Sequence, residues 1–115
     1  MDYATARKFL LDQGTALLTQ KNPDAFLMLL AQGKPPVPGQ MTSILLALKV
    51  VFDDHKDSSS LDRPIIYALH LLTTESQRLF DRGRQSGVDW PPLLKEDLNR
   101  LAIAVKSIFS GVWQG

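Results

Sequence analysis

The chain has 115 residues, of which 44% are hydrophobic and 22% charged, with a formal net charge of +1 and no cysteine. That length allows one domain with a modest core. The near-zero charge gives no global field toward nucleic acid or acidic lipid, and the missing cysteines exclude disulfides and thiolate chemistry. The first fourteen residues carry charges throughout and lack the long apolar core of a secretory signal, so a cytoplasmic protein without membrane contact is expected.

Asp2 suits the N-cap of a first helix that the periodicity carries to about Gln20. Tyr3, Ala6, Leu10, Gly14 and Leu17 share its apolar face, and Gly14 inside that face points to close approach of another helix. Lys21-Asn22-Pro23-Asp24 breaks the chain, with Asn22 fit to cap and Pro23 fit to open a second helix, Ala25 to Gln32. Gly33 is its expected C′ residue, and the prolines of GKPPVPG stiffen the connector that follows.

Met41 to Phe52 is the most apolar run, and its three- and four-residue spacings predict the central helix of the fold. Thr42 or Gln40 could cap it. The polar residues 53–60 read as a mobile loop. Asp62 and Pro64 then open a fourth helix that ends between Gly83 and Gly87. A second stiff connector, SGVDWPP, leads to the last helix, from Leu93 or Leu94 to Phe109. There, Leu94, Leu98, Leu101, Val105, Ile108 and Val112 step alternately by four and three, the spacing of a helix-packing seam. No alternating strand pattern competes. The sequence predicts a single all-α domain, a bundle of about five helices over residues 1–115.

The residues that could carry chemistry are few. Gly33-Lys34 is followed by prolines, which offer no N–H to a phosphate, and Gly83 to Gly87 follows a helix with no strand before it. Asp53, Asp54, His55 and Asp57 gather carboxylates with an imidazole, but a solvated helix end has the same composition. His70 has no acid at helical ligand spacing. No metal and no cofactor are therefore expected. His70 and Glu75 are the candidates for a small helical enzyme or ligand-binding protein, provided a pocket lies beside the fourth helix. Arg78, Arg82, Arg84, Lys95, Arg100 and Lys106 could form a weak nucleic-acid face, diluted by Asp81, Glu96 and Asp97.

Aromatic and proline-rich positions give the stronger surface signal. Trp90 and Trp113 stand outside the helical patterns, and tryptophan and arginine are enriched at interface hot spots. Trp90, Arg82, Arg84 and Trp113, with Pro35 and Pro36 behind them, are the candidate partner-binding residues. The last-helix seam could also pair with a second copy to make a homodimer.

The segments PPVPGQMTSILLALKVVF, GVDWPPLL and DLNRLAIAVKSIFSGVW resemble those of a small all-helical family found in cyanobacterial genomes, and the likeness spans most of the chain. Some members carry a dethiobiotin-synthetase label. That enzyme belongs to the P-loop α/β class, which needs a glycine-rich phosphate loop after a strand and about twice this length. The chain has neither, so the resemblance implies a cytosolic bacterial protein of unassigned role and supplies no site residues. The sequence thus favours a non-enzymatic accessory or adaptor protein acting on another protein.

Overall fold

The computed structural model describes residues 1–115. Its elements are α1 (Tyr3–Gly14), α2 (Ala16–Thr19), α3 (Phe26–Ala31), α4 (Gln40–His55), α5 (Arg63–Gln85) and α6 (Leu94–Ser110), and no strand forms. The parallel sheet that a P-loop fold requires is absent. No helix is long and apolar enough to cross a membrane.

Asp2 accepts the Thr5 N–H at 2.8 Å and Asp62 accepts the Ile65 N–H at 2.9 Å, so the two expected caps start α1 and α5. The first helix is shorter than its periodicity suggests. Thr15 leaves helical geometry, while its N–H and its hydroxyl both bond to the Leu11 carbonyl, at 3.0 and 2.7 Å, and close α1. The remaining residues form the single turn α2, and Gln20 ends it in the left-handed region at φ 53°. One expected helix is therefore two, and the bundle has six.

Three other starts and stops differ from expectation. Asn22 does not cap α3. It makes a local turn with Asp24, and the first free N–H of the helix, on Phe26, is taken by the buried side chain of Gln13 at 3.0 Å. Gly39, not Thr42 or Gln40, stands at the N-cap of α4 with φ 82°. The loop expected from Asp53 begins later, because α4 carries Asp53, Asp54 and His55 as its last turn. Lys49 pairs with Asp53 across one turn at 3.0 Å.

Four helices form the frame. α1 and α6 each pack against both α4 and α5, which sit diagonally apart. Arg7 meets Asp62 and Gly14 meets Ala68, so α1 and α5 run in the same direction. Because α5 has 23 residues and α1 only 12, half of α5 would lie uncovered. α3 takes up that half, starting at the end of α1 and burying Phe26, Leu27 and Leu30 in the common core. α5 thus packs on α1, α3 and α6, while α4, which carries the Met41–Phe52 segment, packs on α1 and α6. α4 buries Ile44, Ala47, Leu48 and Val51 but leaves Thr42, Leu46 and Asp53 to solvent. Gly14 lies against the backbone of Ala68, where any side chain would collide, which explains a glycine inside α1.

The α6 seam is filled within the chain. Leu94, Leu98, Leu101, Val105 and Ile108 are all at most 5% exposed. A homodimer through that seam has no apolar surface left to use; only Val112 of the series is open.

Candidate functional site

Two helices end in the same way at the same end of the bundle. Gly33 after α3 and Gly87 after α5 both adopt positive φ, 72° and 91°. Beyond them, Lys34 N–H reaches the Leu29 carbonyl at 2.9 Å and Val88 N–H reaches the Gly83 carbonyl at 2.8 Å. These bonds close each helix, and the prolines downstream prevent it from resuming. The two connectors, residues 33–39 and 86–93, then run side by side. Gly33 abuts Val88. Farther along, Pro35, Pro36 and Val37 face Pro91 and Leu93 across a shallow cleft of about 270 Å³. A second cleft of about 240 Å³ lies between Gly33, Arg82, Gly83 and Val88.

Trp90 anchors this end. Its indole N–H donates to the Phe80 carbonyl at 2.9 Å, and its ring stacks on Phe80 with centroids 6.0 Å apart. It fits a notch left by Gly83, where a methyl group would overlap the indole. Arg84 pairs with Asp81 at 3.5 Å and lies 5.6 Å from the Phe80 ring centre. Arg82 is exposed and takes part in no ion pair. The fold therefore gathers Pro35, Pro36, Arg82, Arg84 and Trp90 at one end. Trp90 is half-buried with its polar atom already bonded, so it supports the surface more than it presents it. The side chains that the surface does present are Val37 and Leu93, 45% and 64% exposed. The sequence singles out neither: Val37 reads as part of a stiff connector and Leu93 as one of two alternative starts of the last helix.

Trp113 is elsewhere. It packs on Phe52 with centroids 5.2 Å apart, under the Lys49 ammonium at 4.5 Å, near the opposite end of α4.

His70 and Glu75 are not brought together. His70 is exposed on α5. Glu75 binds Arg78 at 2.6 Å and lines a small cavity with Gly14, Leu17 and Leu71, which His70 does not enter. Half of the basic face is paired on its own helices, since Arg78, Arg84 and Arg100 meet Glu75, Asp81, and Glu96 and Asp97.

One polar cluster escaped the sequence pattern because its members are 52 and 55 residues apart. Tyr3 Oη lies 3.4 Å from His55 Nε2, and Arg7 makes two bonds of 3.2 Å to Asp62. The Arg7 guanidinium beside Asp62 holds that carboxyl below its ordinary range, and the same bond raises Arg7. Burial, reinforced by the charge of Asp62, raises Tyr3. Asp54 approaches His55 Nδ1 to 3.3 Å, yet that buried nitrogen has no hydrogen-bond partner. The five residues clasp the first turns of α1 and α5 to the last turn of α4. The clefts at the connectors and along α6 are lined by other residues, so the cluster faces no substrate-sized cavity there. No protein-family model, no curated protein and no solved structure matches this chain.

Proposed function

We propose that the chain is a non-enzymatic interaction domain that binds another protein through the connector end of the bundle. The observation that carries this reading is the paired connector surface: two proline-stiffened segments present Val37 and Leu93 across one cleft, with the unpaired Arg82 beside it. Prolines and closed helix ends fix that surface before binding, which reduces the ordering cost of association. Arginine is enriched at interface hot spots, and the exposed leucine and valine beside it supply apolar area that a partner could bury. The likeness to a cyanobacterial family and a cytoplasmic setting belong to the same proposal.

The test is affinity capture with the wild-type protein beside an Arg82→Glu/Leu93→Glu variant, both first shown to have the same melting temperature. Both positions are exposed and neither fills the core, so the fold should tolerate the change. A partner retained by the wild type and lost by the variant supports the proposal. Identical partners for both proteins would place the interface elsewhere.

A further inference from the structure

A separate cleft, of about 340 Å³, opens between α4, α6 and the C-terminal tail. Its apolar walls are Leu45, Ile103, Ala104 and Trp113, and its two charged lining side chains, Lys49 and Arg100, are both cations. The Trp113 wall is preformed. Gly111 turns the chain back at φ 79°, the Gln114 N–H donates to Ser107 Oγ at 2.8 Å, and Ser107, fully buried, donates to the Ile103 carbonyl at 2.8 Å. Phe52 supports the indole from beneath.

We propose that this cleft binds a small amphiphilic carboxylate, with an aromatic or short aliphatic body against Trp113 and Ile103 and its carboxylate between Lys49 and Arg100. The volume lies at the low end of small-molecule sites, which suits one ring system and not a nucleotide. The sign of the ligand follows from the lining. Lys49 and Arg100 are held now by Asp53 at 3.0 Å and by Glu96 and Asp97 at 3.6 and 3.5 Å, all along their own helices. Such exposed pairs are weak and exchange readily, whereas a ligand that also buries an apolar body keeps its carboxylate in place. A cationic ligand would meet two like charges.

The probe is naphthalene-2-carboxylate, titrated into ¹⁵N-labelled protein, with naphthalene-2-carboxamide and naphthalen-2-ylmethylammonium as neutral and cationic controls. The Trp113 indole N–H reports on the cleft, and the Trp90 indole N–H, bonded to Phe80, reports on the rest of the fold. The expected result is a saturable shift of Trp113 alone, strongest for the carboxylate and absent for the ammonium. Lys49→Glu and Arg100→Glu should each weaken binding by about tenfold or more. Lys49→Met, which keeps the aliphatic stem, should weaken it in the same direction should the Glu variant disturb the Trp90 signal. No saturable shift, equal binding of the carboxamide, or unchanged binding in the charge variants would overturn the proposal. A partner lost through Arg82 and Leu93 is read by different residues, so the two proposals stand or fall separately.

Discussion

At the residue scale, Gly14 and Trp90 show how much one position can fix. Alanine is the better helix former by about 1 kcal/mol, so propensity alone predicts that Gly14→Ala stabilises α1. The Ala68 backbone occupies the space that the new methyl would need. Backbone cannot rotate away as a flexible side chain can, and overpacking of this kind costs roughly 1–3 kcal/mol. Gly14→Ala is therefore expected to lower the denaturation midpoint, and an unchanged or raised midpoint would refute the close packing of α1 on α5. Trp90 separates into a ring and a hydrogen bond. Trp90→Phe keeps most of the ring contact with Phe80 and should cost about 1 kcal/mol through the lost N–H bond. Trp90→Ala also vacates the Gly83 notch and should cost about 3 kcal/mol. Equal losses in chemical denaturation would mean that the ring packing contributes little. Either way, Trp90→Ala tests folding before it tests binding, and Arg82 and Leu93 are the cleaner probes of the surface.

At the scale of elements, the helices that announce themselves do so by local signals. α5 begins where an aspartate precedes a proline, and α6 follows an unbroken seam of leucine, valine and isoleucine. What the sequence could not show depends on residues far apart. The cap of α3 comes from Gln13, thirteen residues upstream of the N–H it serves. The last turn of α4 looks like a loop because its polar residues face solvent and the His55 clasp, and composition cannot tell these settings apart. The clasp itself gives a pH test. Asp62 has a lowered pKa, so its contribution to stability is present above the ordinary carboxylate value of about 4 and is lost as pH falls through the folded-state value. Asp62→Asn keeps a good N-cap but removes the ion pair with Arg7. Both partners are partly exposed, so the variant should be less stable at neutral pH by no more than about 1 kcal/mol. That difference should shrink as the pH drops below 4. A difference independent of pH would show that the carboxylate charge is not what links α1 to α5.

At the scale of the whole molecule, the fold class was legible because helical periodicity is local and strong, whereas the share of the packing carried by α1 and α5 was not. The most apolar segment looked central, but burial on two sides is not burial on all sides, and α4 keeps one open face. The long, more polar α5 is the helix that α1, α3 and α6 share. The candidate surface was half legible: proline and arginine drew attention to the right end, while Val37 and Leu93 emerged only when the two connectors were seen together. Because the α6 seam is spent inside the chain, self-association through it is not expected, and sedimentation at increasing concentration should show no dimer that Leu98→Ala or Val105→Ala selectively removes. The proposal that the connector end is the interaction surface is tested most directly by site-specific photo-crosslinking. A crosslinking residue is placed either at Leu93 or at Leu18, whose exposures are 64% and 62%. A discrete adduct with a partner is expected from Leu93 and none from Leu18. Adducts from Leu18 alone, from both positions alike, or from neither would contradict the proposal.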